Sequence, residues 1–170
     1  MRKKKSINRL VRRVLVGRRP RQTLIRALAL GVVCYILFGF AFLPFRVDGE
    51  SMAPSYQDGG FNFANALIYR IRDPQPGDVV LIEITGRRAM HLKRVLAVPG
   101  DHIYFVNGIL HVNGSERPEP YVAKKGGWTT PPEQLGPGEY FVAGDNRSIP
   151  WAGHTMGVVD RSHIVGRILF

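Results

Sequence analysis

The chain has 170 residues, of which 45% are hydrophobic and 22% charged, as expected for one folded domain. Its net charge of +11 is unusual, and all of the excess lies near the N-terminus. Eleven of the 24 Lys and Arg residues precede Ala27, which leaves 13 against the 13 Asp and Glu residues, all of which follow them. A basic arm on a neutral remainder argues against a nucleic-acid-binding domain, which needs a basic face on its folded part. We therefore expect no nucleic-acid partner.

The next segment is an uncharged run over residues 27–45, ALALGVVCYILFGFAFLPF. As a helix it would be roughly 28 Å long, close to the hydrocarbon thickness of a bilayer. A cleavable secretory signal has a shorter apolar stretch followed by an A-x-A-like site, which is missing here. Because Lys- and Arg-rich flanks stay in the cytoplasm, the sequence predicts a cytoplasmic tail over residues 1–26, a single-pass signal anchor in the cell membrane over 27–45 and an extracytoplasmic domain over 46–170.

Beyond residue 45, short apolar runs alternate with Gly, Pro, Asn and Asp, which is typical of an all-β domain of sandwich or barrel type. The clearest local signal is Asn107-Gly108, a two-residue turn between two β-rich runs. Asn113-Gly114 ends the second run in the same way, residues 116–138 read as a long loop, and a single helical turn is expected near Ser162. The predicted strands are Asn62–Leu67, Val79–Glu83, Met90–Val98, His102–Val106, Ile109–Val112, Tyr140–Ala143 and His163–Leu169.

Ser51 is the first candidate for chemistry, within the segment DGESMAPS over residues 48–55. A Ser hydroxyl becomes a good nucleophile when a neighbouring base takes its proton. Gly49 permits a tight backbone path and Pro54 fixes the chain just after Ser51, so this loop can aim backbone N–H groups at an oxyanion. A Ser between Gly and Pro is also common in ordinary turns.

Lys93 is the second candidate, because on a strand it would share a face with Val95 and Ala97. If that face is buried, desolvation lowers the lysine pKa from about 10.4, and a neutral amine can act as a base. The alternative is a solvated lysine whose stem lies along the sheet. His91 shares the same face and is an alternative base.

The remaining four histidines are scattered and lack close spacing or a cysteine partner, so we expect no metal site. The sequence also lacks a phosphate-binding glycine loop, an H-E-x-x-H motif and a G-x-S-x-G motif. We expect no cofactor.

Segments of the chain resemble, in order, four conserved boxes of type I signal peptidases. GESMAPS resembles the nucleophile box G-x-S-M-x-P-[ST], and RDPQPGDVV (residues 72–80) resembles the second box. HLKRVLAVPGD (91–101) resembles the general-base box K-R-V-x-G-x-P-G-D, with Lys93 at the base position. FVAGDNRS (141–148) and HIVGR (163–167) resemble the start and the close of the last box. The resemblance covers roughly residues 25–170.

The resemblance implies a serine protease with a Ser/Lys dyad, one membrane anchor and an all-β domain. Ser51 would attack the scissile carbonyl of an exported preprotein, with neutral Lys93 as general base and the Ser51 N–H as oxyanion donor. Gly49, Met52 and Pro54 would shape the nucleophile loop, and Met52 would lie near the bilayer surface. Preproteins and the bilayer would be the partners of a monomer. The residues implied to brace the site are Gly144, Asp145, Asn146 and Arg147.

The chain departs from the family pattern in three ways, at five positions. The last box usually continues S-x-D-S-R, whereas this chain has Pro150, Ala152 and His154 at the Ser, Asp and Arg positions that help to orient the lysine. Ala97 stands where Gly is frequent, and Gly49 stands where some members have an oxyanion-assisting Ser. The change over residues 150–154 leaves open whether the enzyme is slower, redirected or inactive.

Other readings remain open at this point. A peptidase of a conjugation or pilus system would carry the same boxes and serve one substrate. A catalytically inactive homologue would use the groove only to bind extended peptides. Self-cleaving SOS repressors share the dyad but are soluble and carry a DNA-binding domain, and a membrane-anchored lipid or nucleic-acid binder would explain only the basic tail.

Overall fold

The structure, a computed structural model, describes residues 19–83, 90–153 and 157–169. It divides into a helical unit ending at Phe40 and a β unit that starts at Ala41. Helix α1 spans Pro20–Ile36 and is followed by a π-helical turn over Leu37–Ala41. By length and composition, the segment Pro20–Ala41 is able to cross a membrane. Most of the basic tail lies outside the described residues.

The helix is offset from the span predicted over residues 27–45. It begins seven residues earlier, at Pro20, because proline suits the first turn of a helix, where its missing N–H has no intrahelical acceptor. At the other end, Phe42–Arg46 forms strand β1. Pro44 cannot continue a helix but is tolerated in β1, which lies at the edge of its sheet.

The β unit consists of two antiparallel sheets. The larger sheet has the order β1-β2-β11-β3-β4-β9-β10, and the smaller has the order β7-β6-β5-β8. The strands after β1 are β2 Phe61–Asn65, β3 Val79–Glu83, β4 Met90–Ala97, β5 His102–Val106, β6 Ile109–Val112, β7 Ser115–Glu116, β8 Glu133–Gln134, β9 Glu139–Ala143, β10 Val158–Asp160 and β11 Ile164–Ile168.

The mainly β fold with one N-terminal helix confirms the predicted class. Asn107 and Gly108 both adopt positive φ, at 49° and 79°, and join β5 to β6 as the sequence predicts. Asn113 and Gly114 do the same, and they lead into β7, which pairs back onto β6. The predicted helical turn near Ser162 is a 3-10 turn over Arg161–His163, so β11 begins one residue later than expected.

Both faces of the β3–β4 pair are buried, which explains the unbroken apolar run of β3. Val80 and Val95 lie in a core cluster on one face, and Val79 and Leu92 lie in a cluster on the other. A bulge in the β4–β9 pairing interrupts the alternation after Val95. Ala97 therefore packs with the core of the smaller sheet, and not with Val95 as the regular strand pattern predicts.

Candidate active site

The nucleophile loop, residues 47–60, connects β1 to β2 and is held by hydrogen bonds between its own residues. The Val47 N–H donates to the Gly60 carbonyl at 2.8 Å, and the Gly49 N–H donates to Asp58 Oδ1 at 2.9 Å. Gly49 has φ of 86°, a value that strains residues with a side chain. The loop therefore presents partly exposed Ser51 on a constrained turn, as the sequence predicts for residues 49–54.

Met52 anchors this loop to the body of the domain. Its side chain is 1% exposed and packs with Val79, Leu81 and Leu92 of β3 and β4. A buried apolar side chain next to Ser51 fixes where the hydroxyl can lie relative to the base strand. In the β unit Met52 is a core residue, which differs from its expected place near the bilayer surface.

Lys93 is 2% exposed at the centre of β4. It lies opposite Val80, on the face that also carries Val95. Across the described ranges its ammonium makes neither an ion pair nor a hydrogen bond. Burial lowers its pKa to about 8, so roughly a tenth of the amine is neutral at pH 7 and about half at pH 8. The desolvated lysine predicted from the strand pattern is therefore present, and the solvated alternative is wrong.

His91 lies two residues before Lys93 on the same face of β4 and is partly buried. Burial, followed by the charge of Lys93, lowers the pKa of the imidazole. It is therefore neutral at pH 7 and, like Lys93, able to accept a proton. Geometry alone leaves both groups as candidate bases.

Asp145 joins the base strand to the nucleophile loop. Its side chain is fully buried and accepts two hydrogen bonds from Arg94, from Nε at 2.8 Å and Nη2 at 2.6 Å. It also accepts one from Ser55 Oγ at 2.5 Å. Arg94 is the residue after Lys93, and Ser55 lies four residues after Ser51. The Asp145 carboxylate therefore connects the two candidate catalytic segments.

Asn146 binds the nucleophile loop through its backbone and its side chain. The Asn146 N–H donates to the Ser51 carbonyl at 3.0 Å, and Nδ2 donates to the Glu50 carbonyl at 3.2 Å. Both bonds use carbonyl groups of the loop, and the Ser51 N–H donates no hydrogen bond within the described part of the chain. That N–H remains available to a developing oxyanion.

Arg147 has a buried partner that the sequence pattern did not indicate. The guanidinium is nearly inaccessible and forms a two-point contact with Glu119, at 2.9 and 2.5 Å, while Nε donates to the Gly144 carbonyl at 2.7 Å. It also lies over the rings of Phe105 and Trp128. All four predicted bracing residues, 144–147, thus lie in one turn after β9 that faces the nucleophile loop.

Residues 150–153 of the atypical last box form an aromatic contact in place of a polar one. Trp151 begins a 3-10 turn and stacks on Phe141 at 5.9 Å, edge-on to Trp128 at 5.3 Å. His154 lies outside the described residues. Apolar packing here explains why the segment can hold its place with Pro150 and Ala152 at the usual polar positions.

The structure brings the two predicted segments to the same place without a direct bond between the two catalytic candidates. Among the described residues, neither Ser51 Oγ nor Lys93 Nζ makes a hydrogen bond. Catalytic hydrogen bonds often tighten only when substrate is bound. No group of three or more His, Cys, Asp or Glu side chains suited to a metal ion occurs in the described ranges.

A cleft of about 430 Å³, lined by both polar and apolar residues, lies beside the nucleophile loop. Glu50, Ala53 and Pro54 form one wall, and Lys124 and Asn146 form part of the other.

Comparison with known proteins gives a consistent picture. The family described as "Signal peptidase, peptidase S26" matches residues 21–170. The chain is 31% identical to signal peptidase IB of Staphylococcus aureus over 157 residues, 82% of each protein. It is 35% identical to signal peptidase I of Bacillus amyloliquefaciens over 133 residues, 72% of this chain and 71% of the relative. A crystal structure of a signal peptidase I from Enterococcus faecalis V583 aligns with a TM-score of 0.47 at 23% identity, covering 58% of this chain and 98% of that one.

Proposed function

Because this chain belongs to the signal peptidase family of S26 serine peptidases, we propose that it removes signal peptides from exported preproteins with Ser51 as nucleophile and Lys93 as general base. The observation that carries the dyad is a lysine 2% exposed, without a counter-ion in the described ranges, whose pKa is lowered to about 8. A structural lysine in a core would ordinarily be paired with a carboxylate.

In the proposed mechanism, neutral Lys93 takes the proton from Ser51 Oγ as that oxygen bonds to the scissile carbonyl carbon. The Ser51 N–H stabilises the resulting oxyanion. Collapse breaks the C–N bond, the Lys93 proton passes to the leaving amine, and an ester remains on Ser51. Water then attacks this ester, with Lys93 again accepting a proton. The bond from the acyl carbon to Ser51 Oγ breaks, Lys93 returns the proton to that oxygen, and the signal peptide leaves as a carboxylic acid.

The location follows from the N-terminal segment. We propose that Pro20–Ala41 crosses the membrane once, with the basic residues before it in the cytoplasm and the β unit outside. A monomer would contain the complete set of catalytic groups.

The decisive experiment is cleavage of a test preprotein with an Ala-x-Ala site by the full chain in detergent. Ser51→Ala and Lys93→Ala should each abolish cleavage and leave the fold intact, as checked by circular dichroism. Cleavage by either variant would contradict the dyad. No cleavage by a folded wild-type chain on several preproteins would favour the narrow-specificity or peptide-binding alternatives.

A further inference from the structure

The loop over residues 117–123 closes over the two arginines that border the turn at Asp145. The Tyr121 ring lies 4.0 Å from the Arg94 guanidinium carbon, in a cation–π contact. The Tyr121 hydroxyl donates to Glu119 Oε1 at 2.9 Å, and Glu119 in turn binds Arg147. Glu119 and Tyr121, which we call the clamp, thus connect a residue of β4 with a residue of the last box.

These contacts are shielded from water, so they are stronger than their surface equivalents. The side chains of Glu119, Arg147 and Asp145 are 6%, 3% and 0% exposed, and that of Arg94 is 13% exposed. Burial, followed by the Glu119 carboxylate, raises the pKa of Tyr121, so its hydroxyl remains a donor at every physiological pH. Cation–π contacts become stronger when they are desolvated.

The chain of contacts ends at the nucleophile. Arg94 binds Asp145, and Asp145 binds Ser55. Asn146, the residue after Asp145, donates its N–H to the Ser51 carbonyl. Tyr121 limits the directions in which Arg94 can point, and Arg147 fixes the turn through the Gly144 carbonyl. Displacement of either arginine would free the turn that holds the loop.

We propose that Glu119 and Tyr121 are positioning residues that hold Ser51 in place for attack. This inference rests on the proposed function for its kinetic consequence, whereas its structural consequence is independent of it. Neither residue touches Ser51, so both act through Arg94, Arg147 and the Asp145 turn. A positional error of about 1 Å in a nucleophile can reduce a rate by about a hundredfold.

The test compares wild-type full-length chain in detergent with Tyr121→Leu, Tyr121→Phe and Glu119→Gln. Tyr104→Leu is the matched control, because Tyr104 stacks on His111 at 4.9 Å in the β5–β6 hairpin and has no contact with the arginines. Two readouts are measured: preprotein cleavage, with kcat and KM separated, and amide hydrogen exchange at Ala53 and Tyr56. These amides donate within the nucleophile loop, to the Glu50 and Met52 carbonyls.

We expect Tyr121→Leu to lower kcat about tenfold or more with little change in KM, and to speed exchange at Ala53 and Tyr56 about tenfold. Exchange at Leu169, whose amide donates to the Phe63 carbonyl of β2, should not change, which separates loss of positioning from general destabilisation. Tyr121→Phe keeps the ring over Arg94 and should recover most of kcat. Tyr104→Leu should change neither readout.

Unchanged exchange at Ala53 and Tyr56 in Tyr121→Leu would overturn the inference. If that variant does not fold, Tyr121→Phe and Glu119→Gln decide the matter, since faster loop exchange in either supports the clamp and wild-type exchange in both rejects it. If wild-type chain cleaves no preprotein, the proposed function fails, and the exchange readout still judges the clamp.

Discussion

Lys93 and Arg94 are adjacent on β4 and point to opposite faces of the sheet, where their surroundings differ. Arg94 meets a buried carboxylate and an aromatic ring. Within the described part of the chain, Lys93 lies on the face of the apolar cluster that contains Val80 and Val95, with partly buried His91 beside it. The contacts of Arg94 stabilise its positive charge and connect separate segments of the chain. The surroundings of Lys93 disfavour the charged form of the amine. The comparison agrees with the proposed roles, in which Arg94 stabilises the structure and Lys93 transfers a proton.

The largest expected effect comes from removing the amine while its shape is kept. Lys93→Met should lower kcat/KM by at least about a thousandfold, since general-base catalysis typically contributes 10²–10⁴ and methionine cannot accept the Ser51 proton. The same variant should be more stable than wild type at pH 7. Kinetics and thermal unfolding of the two proteins in one detergent check both statements, and a less stable Lys93→Met would contradict the unpaired-amine interpretation.

The opposite face should respond through stability. Arg94→Met leaves Asp145 as a buried carboxylate without its ion-pair partner, which should cost about 3–5 kcal/mol of unfolding free energy. Arg72→Met is a suitable control, because Arg72 is 32% exposed and its partner Asp78 keeps a second arginine, Arg167, at 3.0 Å. We expect this control to lose about 1 kcal/mol or less. Denaturant unfolding measures both losses of unfolding free energy. If Arg94→Met loses no more than Arg72→Met, the Arg94 face of β4 has no special structural role and the distinction between the two faces disappears.

The pH dependence of stability sharpens the same comparison. With a pKa of about 8 in the folded state and the ordinary 10.5 when unfolded, Lys93 binds fewer protons in the folded state between those values. Stability therefore rises with pH across this window, and the penalty is complete below about pH 8. Relative to Lys93→Met, wild type should gain about 2–3 kcal/mol between pH 7 and pH 10.5. Parallel stability curves for the two proteins would show that the pKa is not lowered.

Local features of the fold could be predicted from the sequence. The alternation along β4 predicted the face on which Lys93 lies, and the Asn-Gly turn predicted the β5–β6 hairpin, because period-2 burial and positive φ are local properties. The pattern failed after Val95, where a bulge shifts the register, and at Phe42–Arg46, where Pro44 ends an apolar run that reads as one helix.

Contacts between residues far apart in the chain were harder to predict from the sequence. The Ser55–Asp145 bond joins residues 90 positions apart, and resemblance to a known box indicated only that residues near 145 brace the site. Glu119 and Tyr121 lie in a segment rich in Pro, Gly and charge, whose composition predicts a solvated loop. Their burial depends on two arginines elsewhere in the chain, and no local pattern carries that information.

Activity should fall in acid as Lys93 becomes protonated. The acid limb of kcat/KM is expected to have an apparent pKa of about 8 and to drop about tenfold per pH unit below it. Assays from pH 5.5 to 9.5 on a substrate without titratable groups near the cleavage site would measure this limb. Circular dichroism at each pH serves as the control for unfolding, and a flat limb would exclude a lysine base.

His91 should have the smallest effect, and it decides which base operates. If Lys93 is the base, His91→Ala lowers kcat/KM by no more than about threefold, because the imidazole only borders the reacting groups. The acid limb should also keep its midpoint, since burial is the sole cause that lowers the Lys93 pKa. His102→Ala, in the β5–β6 hairpin, is the matched control. A loss of a hundredfold or more in His91→Ala, with His102→Ala unaffected, would assign the base to His91 and leave Lys93 as a buried neighbour that lowers the imidazole pKa.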